Sequence, residues 1–320
     1  GGGGWVCPRG RPRRSTGKPM AEPALLPPPL LRQLEQFELR ARRRARSAAR
    51  GERRSNARGQ SVEFADHRSY VLGDDLRHLD WNLYGRLDRL FVKLYEEERE
   101  LPVTVFLDAS ESMAFGTPPK FDLARRLAAA LGYIALCGFD QVTVRVFPES
   151  PDPAEALRRS ALRSVRGKKS AAEFFRGLAV VTPGGAADLN DALRRGALET
   201  RRPGAAIVLS DFLDPAGYAA GLDALAGRGF QVSAVQILAP EELDPATFGD
   251  LRLVDAETDA EQEVTFGRHR LKAYRRVVEG YTEKLREHCR RRGLRFFRAA
   301  SDVKLEQLVL KELREAEVLG

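Results

Sequence analysis

The chain has 320 residues, of which 43% are hydrophobic and 31% are charged, a balance typical of a globular protein with one large domain or one and a half ordinary ones. No apolar run approaches the ~18 residues of a membrane span, and three scattered cysteines exclude a disulfide framework, so we expect a cytoplasmic protein. The net charge of +8 is local, because residues 1–60 hold 15 Lys and Arg but only 4 Asp and Glu.

The N-terminal part of the chain is predicted to be a disordered tail followed by a helix. Residues 1–22 are rich in Gly, Pro and Arg and have no periodicity. From Leu30 the leucines recur at helical spacing, which predicts a helix to about Ala49. The Arg-dense stretch Arg40–Arg58 is either a patch for nucleic acid or an anionic membrane, or a solvated helix face. We favour the solvated face, since no aromatic residue interleaves the arginines for base stacking.

Residues 59–100 combine short alternating runs with dense charge, and with the preceding helix they predict a small unit over residues 23–100. The runs Leu79–Leu83 and Leu90–Tyr95 alternate as strands do. Charged residues lie among aromatic ones here, where partly buried arginines need carboxylate partners. A catalytic acid cluster is one interpretation. We favour a structural ion-pair network whose members include Asp74, Asp75, Arg77 and Asp80.

The stretch VTVFLDASESM is the most informative part of the sequence. Val103–Leu107 predicts a strand buried on both faces, and it ends in Asp108, Ser110 and Ser112 at the spacing D-x-S-x-S. Ligands of open α/β sheets bind at the carboxyl ends of the strands. Three short oxygen-bearing side chains suit a small hard cation such as Mg²⁺. The same residue types also form turns and cap helices, so the spacing alone leaves both interpretations open.

The rest of the chain alternates strands and helices, which predicts an α/β fold over residues 101–320 with a mostly parallel, doubly wound sheet and helices on both faces. In chain order we predict a helix over Phe121–Cys137, strand Gln141–Phe147, helix Ser170–Leu178, a helix after Gly184 and Gly185, strand Ala205–Leu209, a helix opened by Asp214 near Gly217–Ala226, strand Phe230–Leu238, a hairpin of Leu251–Thr258 and Glu263–Phe266, helix Arg268–Arg292 ended by Gly293, strand Leu294–Arg298 and a closing helix Val303–Glu315.

A second predicted strand is also followed by oxygen-bearing side chains, because Ser210 and Asp211 come directly after Ala205–Leu209. Neighbouring parallel strands would bring Asp108 and Asp211 to one edge of the sheet. Two acids at strand ends are a more specific signal than either alone.

Two long strings carry a resemblance to a known family. EFADHRSYVLGDDLRHLDWNLYGRLDRLFVKLYEEE and the following VTVFLDASESMAFG resemble the domain of unknown function 58 family, a bacterial group whose C-terminal portion looks like a von Willebrand factor A domain. The similarity runs from about Leu30 to the C-terminus. It implies a protein-interaction module, often encoded beside MoxR-type AAA+ ATPases, with a metal-ion-dependent adhesion site at D-x-S-x-S.

The resemblance implies a ligand set for Mg²⁺. Ser110 and Ser112 would ligate directly, Asp108 and Asp211 through water, and a carboxylate of the partner would complete the shell. Related domains place a Thr after the Gly pair as a further ligand, but this chain has Ala186 and Ala187 there. Alanine cannot ligate, so either Asp188 or Thr182 takes that place, or the site binds metal weakly or not at all.

Three other functions stay open. Asp108 and Asp211 could activate water in a metal-dependent hydrolase, although no general base has suitable spacing. Arg40–Arg58 could bind nucleic acid, and a chain with a degenerate metal site would be a structural adaptor. The sequence has no phosphate-binding loop, nucleophile elbow or dinucleotide motif, and its four histidines lack zinc spacing. We therefore expect no enzymatic activity.

Overall fold

The structure is a computed structural model that describes residues 25–37, 39, 62–72, 74, 76–97, 101–150, 152–160, 162–244, 249–254, 261–266 and 268–312. The predicted tail over residues 1–22 and the Arg-dense stretch Arg40–Arg58 lie outside these residues. The helix predicted from Leu30 begins at Pro28 and ends at Leu34.

The strands, numbered along the described chain, are β1 (Val62–Ser69), β2 (Phe91–Glu97), β3 (Pro102–Asp108), β4 (Gln141–Phe147), β5 (Val165–Arg166), β6 (Ala205–Ser210), β7 (Gln231–Leu238), β8 (Gly249–Val254), β9 (Glu261–Phe266) and β10 (Arg295–Ala300). The helices are α1 (Pro28–Leu34), α2 (Trp81–Leu87), α3 (Lys120–Cys137), α4 (Pro153–Ser160), α5 (Ala171–Ala179), α6 (Leu189–Glu199), α7 (Ala219–Arg228), α8 (Pro240–Leu243), α9 (Arg268–Arg292) and α10 (Leu305–Gln307).

Six strands form the central sheet in the order β10-β7-β6-β3-β4-β5. All neighbours in it run parallel except the short edge strand β5, which is antiparallel to β4. Parallel strands need crossover connections, and the helices between them supply these. The predicted mostly parallel sheet is therefore confirmed.

Helices cover both faces of this sheet. Val103, Val105 and Leu107 of β3 face a core shared with α1, α3, α5 and α10, whereas Phe106 faces a second core shared with α6, α7 and α9. Successive side chains of a strand point to opposite faces, which explains why β3 is mostly apolar on both faces before it ends in Asp108. The doubly wound α/β class is confirmed.

The order of the strands creates a crevice beside β3. The chain passes from β3 to β4 on one side and later returns to β6 on the other side of β3. Such a reversal of strand order leaves the carboxyl ends of the two strands open, and ligands of α/β sheets bind there. Asp108 and Asp211 lie at these two ends.

Within the N-terminal unit, one predicted strand does not form. Strands β1 and β2 form a separate antiparallel pair, and the strand predicted over Leu79–Leu83 is wrong. Leu79 makes only an isolated bridge to Val92, and α2 begins two residues later. Asp80 caps this helix, since its Oδ1 accepts from the backbone N–H groups of Asn82 and Leu83 at 2.9 and 3.2 Å. Capping outweighs the alternating pattern.

Two of the acids predicted for an ion-pair network contact basic side chains of β1. The Asp74 carboxylate accepts from Arg68 at 2.8 Å, and the Asp80 carboxylate contacts the His67 ring at 2.9 Å. Asp75 lies outside the described residues, and Arg77 is exposed. Both contacts join the turn before α2 to strand β1.

Near the C-terminus, the predicted hairpin forms as β8 and β9, although residues 255–258 of its predicted first strand lie outside the described residues. The long helix forms where it was predicted, as α9. The closing helix predicted over Val303–Glu315 is instead the short α10 followed by a π-helical turn over Leu308–Glu312. Within the described part of the chain, no helix combines the length and apolarity needed to cross a membrane.

Candidate functional site

A cavity of about 220 Å³ lies at the reversal point between β3 and β6. It brings together four of the five residues predicted to hold a metal, and it is lined by Asp108, Ser110, Ser112, Ala187, Leu189, Ser210, Asp211, Leu213, Asp214 and Pro215. The predicted convergence of the two strand ends is therefore present in the folded chain.

Asp108 is the buried acid at the end of β3. Its Oδ1 accepts from the backbone N–H of Ser110 at 2.9 Å, and its Oδ2 accepts from the Ser210 hydroxyl at 2.5 Å. Burial and, second, the nearby Asp211 carboxylate raise the pKa of Asp108 to about 7. The charged form is costly because it has been taken out of water and stands beside a like charge.

Asp211 is the acid at the end of β6, and it is held by neighbours from three parts of the chain. Its Oδ2 accepts from the Ser112 hydroxyl at 2.9 Å and from the Lys120 ammonium at 2.8 Å. Its Oδ1 accepts from the backbone N–H of Leu213 at 3.0 Å. The Ser110 and Ser112 hydroxyls lie 3.1 Å apart, so the two serines bridge the two acids.

Lys120 is a functional candidate that the sequence analysis missed. Its side chain is 1% exposed, and its ammonium donates to Asp211 at 2.8 Å and to Glu242 at 2.6 Å. Burial alone would lower the pKa of Lys120, but the two carboxylates outweigh it and raise that pKa. Burial in turn raises the pKa of Glu242 in spite of its contact with Lys120. The sequence held one signal for this role, because Lys120 is the first residue of the apolar helix α3. A lysine at such a position is buried, and a buried lysine needs acidic partners.

Asp214 also lines this cavity, although its position in the sequence did not identify it as a ligand. Its Oδ2 accepts from the backbone N–H of Leu189 at 2.8 Å, and its Oδ1 accepts from that of Ala216 at 2.7 Å. The Asn190 amide also donates to the carbonyl oxygens of Ala216 and Gly217 at 3.1 and 2.8 Å. These contacts hold the loop after Asp211 against the start of α6. Asp214 does not open the following helix, because α7 begins only at Ala219.

Asp188, the fifth residue predicted for the metal site, lies elsewhere. It is exposed and caps α6, where its Oδ1 accepts from the backbone N–H of Asp191 at 2.8 Å. It lines a neighbouring cavity of about 490 Å³ together with Pro148 and Arg195. The side chain that reaches the candidate site from this loop is Ala187, whose methyl group offers no ligand.

The donor set of the cavity fits a hard cation. Carboxylates and hydroxyls are the oxygen ligands that Mg²⁺ prefers, and Mg²⁺ keeps several waters of its own. Three carboxylates and three serine hydroxyls line the cavity, and both oxygens of one of the carboxylates, Asp214, already accept from backbone N–H groups. Across the described residues, no group of three or more His, Cys, Asp or Glu side chains is arranged to hold a metal ion. Any metal here would therefore depend on the serines, and the Lys120 ammonium already neutralises part of the acid charge.

The chain is similar in sequence to proteins from mycobacteria. The chain is 31% identical over 245 residues to the uncharacterized proteins Mb1516 of Mycobacterium bovis and Rv1480 of Mycobacterium tuberculosis, which covers 74% of this chain and 74% of each relative. Both relatives are therefore matched over most of their length.

Solved structures that match part of the chain include BatB, a conserved hypothetical protein from Bacteroides thetaiotaomicron, with TM-score 0.39 and 18% identity over 68% of this chain and 98% of that one. Another is a von Willebrand factor type A protein from Catenulispora acidiphila, with TM-score 0.35 and 13% identity over 72% of this chain and 44% of that one. The sequence model of a family described as "Protein of unknown function DUF58" matches residues 66–295. This match spans more than half of the chain, which therefore belongs to the DUF58 family.

Proposed function

We propose that the protein is a non-enzymatic interaction module with a metal-ion-dependent adhesion-type site, which binds Mg²⁺ and, through it, an acidic group of a protein partner. One observation carries the proposal. Asp108, Ser110, Ser112 and Asp211 come from two strand ends and line one cavity at the reversal point of the sheet. Residues that far apart in sequence converge at the place where α/β sheets bind ligands.

Each side chain has a distinct task in this proposal. Ser110 and Ser112 would ligate the ion directly, and Asp108 and Asp211 would hold its water ligands. A bound Mg²⁺ would supply positive charge and an open coordination position for a carboxylate of the partner. The Ser210 hydroxyl and the Ser110 backbone N–H orient Asp108, while Lys120 and the Leu213 backbone N–H orient Asp211.

The proposed partner is a MoxR-type AAA+ ATPase. This part of the proposal rests on the resemblance that the sequence carries to a family often encoded beside such ATPases. Its surface would present an Asp or Glu side chain to the cavity.

A second candidate function is supported by Lys120. Its ammonium lies 2.8 Å from Asp211 and is buried, so the site contains a permanent positive charge of its own. Ala187 lies where related domains have a threonine ligand. This lost ligand and the charge of Lys120 together favour an adaptor that binds its partner through the serine hydroxyls without any metal. The two candidates differ in one measurable property, the need for a divalent cation.

The test is capture of a purified MoxR-type ATPase on the full-length chain, with Mg²⁺ or with a chelator. We expect capture by the wild type with Mg²⁺ and its loss with chelator or in Asp108→Ala. The matched control Asp188→Ala removes a carboxylate outside the cavity and should retain capture. Capture that survives the chelator but not Asp108→Ala would favour the metal-free adaptor. Equal capture in every arm would overturn both candidates.

A further inference from the structure

The N-terminal unit exposes an unusual number of large apolar side chains. Leu72 is 97% exposed, Trp81 64% and Leu87 54%. Seven such residues fall within twenty positions, and we call them the apolar patch: Val71, Leu72, Leu76, Trp81, Tyr84, Leu87 and Leu90. Single exposed apolar residues are normal, but a cluster of this size marks an interaction surface.

The backbone gathers the apolar patch on one small unit. Trp81, Tyr84 and Leu87 follow one another at intervals of three along α2, and the rings of Trp81 and Tyr84 meet edge to face at 6.2 Å. The backbone N–H of Tyr70 donates to the Leu90 carbonyl at 2.9 Å, which joins the ends of β1 and β2 beside Val71. The patch is therefore formed by both strand ends and the helix between them.

Between residues 67 and 92, few of the described apolar side chains are buried. Among the side chains of residues 67–92 that the structure describes, the buried large apolar ones are Leu79 and Val92. An isolated two-stranded pair is only marginally stable in water, and it normally packs its apolar side against something else. The apolar patch is the surface available for such packing.

The sequence before β1 restricts what can cover the apolar patch. Residues 40–61 contain nine Arg and one Glu and no Val, Leu, Ile, Met, Phe, Tyr or Trp. They have no large apolar side chains with which to cover it. A second copy of the chain would bring two such cationic segments together, which like-charge repulsion opposes. Duplex nucleic acid would attract the arginines but offers little apolar surface to exposed leucines. An occupant that is both anionic and apolar meets all three of these constraints.

We propose that the apolar patch binds the surface of a bilayer containing anionic phospholipids. Leucine side chains would enter the boundary between headgroups and acyl chains, and Trp81 and Tyr84 suit the interface because each aromatic side chain also carries a polar group, an indole N–H or a hydroxyl. Arg86 and Arg89 are exposed on the same unit and would contact lipid phosphates. The cationic composition before β1 favours an anionic bilayer over a neutral one. This surface is separate from the cavity between β3 and β6.

The test is co-sedimentation of the full-length chain with vesicles of phosphatidylcholine alone or with about a third phosphatidylglycerol. We expect binding to the anionic vesicles that weakens with salt. Leu72→Ser with Leu87→Ser should lower the partition coefficient about tenfold or more, since two apolar side chains no longer leave water. The matched control is Leu198→Ser with Val277→Ser, two residues that are 80% and 69% exposed outside the patch.

Each outcome decides the proposal. Loss of binding in the patch variant with retention in the control supports it, provided that circular dichroism shows both variants folded. Absence of wild-type binding to anionic vesicles at low salt overturns it. Equal binding by the patch variant also overturns it, because charge alone would then explain the binding. Salt-sensitive binding to duplex DNA without binding to vesicles would also overturn it and favour nucleic acid. Asp108→Ala should bind vesicles like the wild type, so the proposed function is tested separately.

Discussion

Asp108 is a buried carboxyl group whose protonation links the candidate site to stability. Its pKa is raised from 3.8 to about 7 by burial and by Asp211. Between these values the folded chain holds a proton that the unfolded chain has released, so stability falls as pH rises through this window and levels off above it. We expect this loss to reach at most ~4 kcal/mol.

The measurement is urea unfolding of the wild type and Asp108→Asn at pH 5 and pH 8. Because asparagine does not titrate, the free energy of unfolding of the variant should rise relative to that of the wild type between pH 5 and pH 8. A difference between the two proteins that stays the same at both pH values would contradict this account of Asp108.

Lys120 offers a second prediction at the scale of a single residue. Lys120→Met should destabilise the fold by about 3–5 kcal/mol, because it leaves two buried carboxylates without their cation. The compensated variant, which combines Lys120→Met with Asp211→Asn and Glu242→Gln, should recover most of that loss. Denaturant unfolding measures both. If the compensated variant were no more stable than Lys120→Met, the ion pairs would not be the reason for the lysine.

At the scale of elements, α6 must lie close to β3 for the loop before it to reach the cavity. Gly196 of α6 lies directly against the Phe106 ring, and a Cβ at this position would overlap the ring. Gly196→Ala should therefore push the helix away and cost about 1–3 kcal/mol in unfolding free energy. The control Gly280→Ala lies in α9 with open space around it and should stabilise by about 0.5–1 kcal/mol. Equal effects of the two substitutions on thermal unfolding would refute this close contact.

Helices and strands with a clear hydrophobic periodicity could be predicted from the sequence. An element whose type depends on one capping side chain could not. Strand β4 and helix α9 form at the residues that their patterns predict. The run Leu79–Leu83 alternates like a strand, yet the Asp80 carboxylate captures two backbone N–H groups and starts a helix instead. Alternation over five residues is a weak signal, and a good cap overrides it.

At the scale of the whole molecule, the alternation of strands and helices predicted a parallel sheet, and two acids at strand ends predicted where its site would form. What the sequence could not reveal is the pairing of Lys120 with Glu242, because these residues are 122 positions apart and no local pattern links them. It also assigned Asp188 to the site, although the loop turns so that Ala187 faces the cavity and Asp188 caps α6. Such details depend on the tertiary path of a loop.

The central claim is that side chains from the ends of β3 and β6 together form a binding site for a hard cation. Calorimetric titration of the full-length chain with Mg²⁺ at pH 8, where Asp108 is largely ionised, tests it most directly. We predict saturable binding by the wild type and by Asp188→Asn, and at least tenfold weaker binding by Ser112→Ala and Asp211→Asn. Saturable binding that is unchanged by Ser112→Ala and Asp211→Asn, or no binding by the wild type, would contradict the claim.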